Sequence, residues 1–272
     1  MDFKQSLLGS SLGRLALEVR NKTTLLRVCF DAPEILGMIA NDQMATRLVL
    51  ALCPKGGAFV DVGAHIGSVV AAMLHRNPAA HIIAIEAVEK KATGLRRTFP
   101  QIEVHACALG ESEGRAPFFI DLSHTANSSL DRNPAGATVQ EVQVRVATLD
   151  AILDGRRIDA LKIDVEGAEL GVLLGGETTI AESRPVVMFE SGPRKLNGLA
   201  YTKEALWRYF NERDYALLTP NRVAHLDDGL SLEGFLESHL YPRRTTNYFA
   251  LPRERRLDLR EAARSELGMT PG

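Results

Sequence analysis

From Ala58 to Leu251 the chain alternates short apolar runs with amphipathic stretches, the pattern of strands that are each followed by a helix. The runs at 58–62, 81–86 and 102–107 predict strands one to three, and those at 158–164 and 185–190 predict strands four and five. Helices are expected at 88–98, after Asp164 and at 202–211, with further strands at 215–218 and 247–251. This alternation favours a parallel, doubly wound α/β sheet, because parallel neighbours need a crossover that a helix fills. It breaks between 111 and 147. There, extended segments at 116–120 and 141–146 flank a stretch from His124 to Thr138 rich in Ser, Asn, Pro and Gly, expected to be a loop or lid. Residues 1–57 read as a lead-in, with 25–30 as a short strand and one or two helices opening at Pro33. The main domain is then 58–252, and 253–272 forms a charged terminal helix or tail.

The turn after the first strand carries the first chemistry. Phe59-Val60-Asp61-Val62-Gly63-Ala64-His65-Ile66-Gly67-Ser68 reads as a buried strand, a glycine-bearing turn and a helix start. A pyrophosphate site needs glycine where Asp61 stands, since its backbone N–H groups must face negative charge. A carboxylate there repels a pyrophosphate and suits the ammonium of a methionine moiety, which favours S-adenosylmethionine over a dinucleotide. Gly63 lets the backbone turn sharply, and Gly67 lets the helix pack closely. Glu86 ends the second apolar run 25 residues after Asp61, near the spacing expected for an acid that accepts two ribose hydroxyls. Each feature alone also fits an ordinary turn or a solvated strand end.

Composition narrows the class without naming the chemistry. The 272 residues are 45% hydrophobic and 24% charged, as in a globular protein with a sizeable core. A net charge of −2 supplies no field that would steer the chain to nucleic acid. The basic clusters at 96–97, 156–157, 243–244 and 253–256 read as solvated faces. Cys29, Cys53 and Cys107 are far apart and odd in number, so reduced core thiols are expected rather than a disulfide framework. With no long apolar run, the chain is expected to be cytoplasmic, without membrane association.

A second constellation lies in Leu161-Lys162-Ile163-Asp164-Val165-Glu166-Gly167-Ala168-Glu169, where strand four meets its loop. Ligands and catalytic groups gather at that edge of an open α/β sheet. Here the sequence resembles the FkbM-type S-adenosylmethionine-dependent methyltransferases. The resemblance rests on D-V-G-A-H-I-G at 61–67, I-E-A at 85–87, A-L-G at 108–110, N-S-S-L at 127–130, T-L-D at 148–150 and K-I-D-V-E-G-A-E at 162–169, with Phe189-Glu190 after Arg184-Pro185. It covers roughly residues 58–191, and residues 1–57 carry no family motif.

The resemblance implies a Rossmann-like, seven-stranded, mostly parallel sheet of the class I methyltransferase kind. It implies methyl transfer to a hydroxyl of a sugar, a glycan or a natural product. Carried onto this chain, it assigns Asp61, Gly63, His65 and Gly67 to the methionine end of the cofactor, Glu86 to its ribose, and Ala108 and Asp164 to the same site. His65 stands where the family often has Asn, which would make binding more sensitive to pH.

Methyl transfer needs an acceptor oxygen aligned with the methyl and relieved of its proton. Asp164 is the first candidate base and Glu166 the second. Lys162 shares the face of Asp164 in a regular strand and would stabilise an alkoxide or pair with a carboxylate. Alternatively, Asp164 and Glu166 cap the following helix. Acids at this loop, with Glu190, also permit a divalent cation, but no His/Cys spacing marks a transition-metal site and no residue is assigned as a metal ligand. Asn127-Ser128-Ser129 reads as a lid or acceptor contact, and His124 as an alternative base. Tyr201, Trp207, Tyr209 and Phe210 read as a helix packed on the sheet.

Two other readings compete. A nicotinamide-dependent oxidoreductase on a related fold requires glycine at position 61, and the chain has Asp61. A binding module that keeps the cofactor fold without catalysis is the other, and the intact set Asp61, Glu86 and Asp164 counts against it, although binding is not turnover. The partner expected is a small-molecule or glycan acceptor. If the chain forms a homodimer, its N-terminal helices and C-terminal tail are the surfaces expected to meet.

Overall fold

The computed structural model describes residues 11–121, 139–192 and 201–270. Helix α1 (Ser11–Asp31) leads through a short 3-10 turn at Pro33–Ile35 into α2 (Leu36–Leu52). Then follow β1 (Ala58–Val62), α3 (Ser68–Arg76), β2 (His81–Ile85), α4 (Glu89–Thr98), β3 (Glu103–His105) and β4 (Ala108–Leu109). The hairpin of β5 (Gly114–Asp121) and β6 (Val139–Ala147) comes next, then α5 (Leu149–Leu153), β7 (Ala160–Ile163), α6 (Glu169–Leu174), α7 (Glu177–Ser183) and β8 (Val186–Glu190). Last come α8 (Lys203–Glu212), β9 (Tyr215–Leu218), α9 (Leu232–Glu237), β10 (Asn247–Pro252) and α10 (Arg256–Glu266).

The main sheet has seven strands in the order β3-β2-β1-β7-β8-β10-β9, parallel except that β10 runs against both neighbours. The order reverses between β1 and β7, so a crevice opens at their carboxyl ends. Alternate side chains of each strand feed two cores. Val60, Leu161, Val187 and Phe189 meet α5 to α8 on one face. Phe59, Ala160, Val186 and Met188 meet α2, α3, α4 and α10 on the other. Burial on both faces is why these strands read as continuous apolar runs.

The seven-stranded, mostly parallel sheet is the fold the sequence predicts, and most element bounds agree within a residue or two. Two expectations about the elements need correction. Residues 25–30, expected as a strand, lie inside α1, which packs on α2. The third run does not stay in one strand. After His105 the chain leaves the main sheet, and β4 pairs with β6 in a separate three-stranded sheet, β4-β6-β5. The stretch containing His124 and Asn127-Ser128-Ser129 lies outside the described residues. All three cysteines are free thiols, and Cys29 is exposed rather than in the core. Among the described residues, no helix is long and apolar enough to cross a membrane.

Candidate active site

A cleft of about 210 Å³ opens at the point where the strand order reverses, lined on one side by Asp61, His65 and Glu86 and on the other by Lys162, Asp164 and Glu166. The register explains how these residues meet. Asp61 on β1 is paired with Lys162 on β7, and both side chains leave the same face of the sheet. The β7–β8 register pairs Ile163 with Phe189, so one step further on Asp164 stands beside Glu190. Thus Asp61, Lys162, Asp164 and Glu190 form one row across three strand ends.

Lys162 is the hub of that row. Its Nζ lies 3.1 Å from Asp61 Oδ1 and 3.3 Å from Asp164 Oδ2, and its side chain is 7% exposed. Burial alone would lower its pKa, but the two carboxylates outweigh it and hold the ammonium charged. Burial pushes Asp61 upward, against the pull of Lys162. Asp61 Oδ2 is buried and, among the described residues, accepts no hydrogen bond. An orphaned carboxylate oxygen in a cleft wall is an unmet demand for a donor.

Asp164 and Glu190 share a proton. Burial would raise Asp164, but Lys162 and a hydrogen bond from Glu190 bring it below its usual value. Burial, with the Asp164 charge beside it, pushes Glu190 up to about 10. Glu190 is therefore the protonated partner and donates to the Asp164 carboxylate. Asp164 is 37% exposed and faces the cleft, so its charge remains accessible to a bound molecule.

The loop after β7 turns through two left-handed residues, Glu166 at φ 55° and Gly167 at φ 106°. Glu169, the first residue of α6, ties this loop down, its carboxylate accepting from Gly167 N–H at 2.9 Å, while no side chain caps the N-terminus of α6. The alternative that Asp164 and Glu166 cap the helix is therefore not met, and both line the cleft. Burial pushes Glu169 up to about 7.

On the opposite wall, Glu86 follows β2 directly. Its two oxygens accept His65 N–H and Val88 N–H, each at 2.9 Å, and each oxygen keeps a second lone pair for a ligand. Burial pushes its carboxyl up, with the Lys91 charge pulling the other way. His65 lines the cleft in a left-handed conformation at φ 52°. Gly63 also lines it, but its close neighbour is the chain itself: a Cβ there would lie 1.9 Å from the Asp164 carbonyl oxygen. Gly67 is not in the lining, and a Cβ there would strike Phe99 and Leu95 of α4 and its C-terminal end.

Ala108 lines the cleft beside Cys107. Phe118 reaches it from the β5–β6 hairpin, as does Lys91 from α4. The place of Phe118 is not legible in the sequence, because nothing in an apolar run says where a hairpin will fold. Tyr209 and Trp207 pack α8 on the sheet, as expected, with Tyr209 OH donating to Leu173 O at 3.0 Å.

The profile of one protein family, described as the methyltransferase FkbM domain, matches residues 61–217. The AMB antimetabolite synthetase AmbE of Pseudomonas aeruginosa is 27% identical over 189 residues, a match covering 54% of this chain and 9% of that protein. Methyltransferase 1 of Beauveria bassiana is 25% identical over 195 residues, covering 62% of this chain and 71% of that one. The solved structure of a methyltransferase FkbM from Methylobacillus flagellatus is 20% identical with a TM-score of 0.45, covering 71% of this chain and 43% of that one. This chain therefore spans less than a tenth of AmbE and less than half of the Methylobacillus flagellatus protein.

Proposed function

The chain belongs to the FkbM methyltransferase family, and from that premise we propose that it is an S-adenosylmethionine-dependent O-methyltransferase acting on a hydroxyl of a sugar, glycan or natural product. The observation that carries the cofactor part is the orphaned, buried Oδ2 of Asp61 in the cleft wall. It fits the ammonium of a methionine moiety, and a pyrophosphate would be repelled there. Glu86, at the end of the adjacent strand, supplies carboxylate lone pairs for ribose hydroxyls. S-adenosylmethionine, when bound, supplies a methyl group already activated on a sulfonium.

What remains for the protein is to orient the acceptor and take its proton. Asp164 is ionised, exposed to the cleft and next to the proposed cofactor site, which suits it to accept that proton from the acceptor oxygen. Glu190 holds Asp164 in place by donating to it, and Lys162 keeps it charged. Lys162 is bound between two carboxylates, so its role in this reading is to position them rather than to meet an alkoxide. Glu166 borders the same space and orients the acceptor.

Carboxylate oxygens of Asp164, Glu166 and Glu190 all lie within 4.8 Å of one another, which favours a second reading in which a divalent cation displaces the Glu190 proton. One screen tests both readings. The protein, S-adenosylmethionine and a panel of hydroxyl, amine and carbon acceptors are incubated with Mg²⁺ or with a chelator, and methylated products are read by mass spectrometry. Methylation of a hydroxyl acceptor supports the proposal, and methylation of nitrogen or carbon acceptors alone overturns its oxygen specificity. Turnover that survives the chelator removes the cation reading.

A further inference from the structure

A second concavity, of about 520 Å³, lies on the same edge of the sheet as the cleft, beyond β8. The 3-10 turn Pro220–Arg222 follows β9, and residues 241–246 precede the antiparallel β10, so both arms sit at the carboxyl ends of the parallel strands. The N-terminal half of α2 forms the floor. The volume suits a monosaccharide-sized ligand.

The groove is firmly built. Asn41 of α2, 8% exposed, donates to Arg244 O at 2.8 Å and accepts from Asn221 N–H at 3.1 Å, tying both arms to the floor. Asp42 beside it accepts from Thr246 N–H at 2.9 Å and from Thr245 Oγ1 at 2.8 Å. The same loop reaches the active strand end: Ser191, next after Glu190, donates its N–H to Thr246 O at 2.8 Å. Ser191 Oγ also lies 2.9 Å from His239 Nε2. Groove and carboxylate row are thus anchored to one another through a single loop.

Three guanidinium groups line this groove, and they are not equivalent. Arg222 is paired with Asp227 at 2.6 Å, and Arg244 with Glu237 at 3.1 Å. Glu34, the other acid in the lining, accepts from Tyr241 OH at 2.7 Å. Arg243 is half-buried and, among the described residues, makes no hydrogen bond or ion pair. Near it, Thr219 Oγ1 donates to Asn221 Oδ1 at 2.7 Å, which leaves the Asn221 amide hydrogens for another acceptor. A guanidinium partly withdrawn from water and flanked by two others has an unmet requirement for an anion, which planar guanidinium recognises in two-point fashion. The sequence alone shows Arg243-Arg244 as a solvated basic pair; the fold turns one of them into a groove.

We infer that this groove is an anion-binding subsite for the methyl acceptor, taking a phosphate or carboxylate carried by the same molecule whose hydroxyl meets Asp164. The word acceptor rests on the methyltransferase reading; the anion site rests on Arg243 and its surroundings.

The test is calorimetric titration of the protein with glucose 6-phosphate, inorganic phosphate and glucose, with S-adenosylhomocysteine titrated separately into every variant. The sugar phosphate is expected to bind and glucose to fail over the same range. Arg243→Ala and Arg243→Glu should weaken the sugar phosphate roughly 10- to 100-fold, and Arg243→Lys should keep part of the affinity, with S-adenosylhomocysteine binding unchanged throughout. No binding of the sugar phosphate, or equal binding by wild type and Arg243→Glu, overturns the inference. Inorganic phosphate binding as tightly as the sugar phosphate would make the anion a free one and overturn the acceptor role. Sugar phosphate bound through Arg243 without any S-adenosylhomocysteine binding would sink the cofactor reading and leave the anion site standing.

Discussion

Asp61 and Lys162 occupy paired positions on neighbouring parallel strands, and their side chains meet at 3.1 Å in a nearly dry site. The pair joins the Asp61 wall of the cleft to the Asp164 wall, because Lys162 also reaches Asp164. Removing the cation should therefore disturb both. Lys162→Met leaves two carboxylates beside one another with no counter-charge, and the loss is expected to be about 3–5 kcal/mol. Chemical denaturation measures it. A variant as stable as wild type would mean that the ion pairs contribute nothing to the fold.

Asp164→Asn keeps the shape of the row but cannot take a proton. Turnover with an acceptor that the wild type methylates should fall roughly 10²- to 10⁴-fold, with affinity for S-adenosylhomocysteine held. Near-normal turnover would move the proton-accepting role to Glu166 or elsewhere.

The shared proton gives stability a defined pH dependence. Glu190 is pushed from its ordinary 4.5 to about 10 in the folded protein. The folded chain holds that proton after the unfolded chain has released it, so this contribution is complete below 4.5 and is lost as pH rises toward 10. Glu169, pushed up to about 7 by burial, acts in the same direction over the lower part of that window. Unfolding midpoints measured across the window should decline in the wild type, and Glu190→Gln, which mimics the protonated acid, should flatten the decline. Parallel curves for the two proteins would contradict the shared proton.

Gly63→Ala places a methyl group 1.9 Å from the Asp164 carbonyl oxygen at a backbone φ of 81°. Neither the turn nor the loop after β7 can yield without the other, so the variant should lose roughly 1–3 kcal/mol or more. Its residual folded fraction should have lost methyl transfer, because Asp164 is displaced with its loop. Full activity at wild-type stability would show that the two segments do not constrain one another.

Much of this molecule is legible in its sequence, for a physical reason. Strands buried on both faces must be largely apolar, so Phe59-Val60, Ile82 to Ile85 and Val186 to Phe189 announce themselves. An acid within or just after the end of such a run, as at Asp61 and Glu86, is conspicuous because it interrupts the apolar pattern at the sheet edge. Pairing across strands is a different matter. That Glu190 stands beside Asp164 depends on the register of β7 against β8, which no local pattern states. The helix at 25–30 escaped because Leu25-Leu26-Arg27-Val28-Cys29-Phe30 is apolar enough for either structure, and only its packing on α2 decides. The place of Phe118 in the cleft and of Arg243 in a groove follows from loops and hairpins folding back over the sheet edge.

Asp61 is proposed to hold the ammonium of an S-adenosylmethionine-type ligand. Calorimetric titration of S-adenosylhomocysteine into wild type and Asp61→Asn, with NAD as a parallel ligand, tests it most directly. The wild type is expected to bind S-adenosylhomocysteine, the variant to lose most of that affinity, and neither protein to bind NAD. Equal affinity in wild type and variant, or binding of NAD in place of S-adenosylhomocysteine, would contradict it.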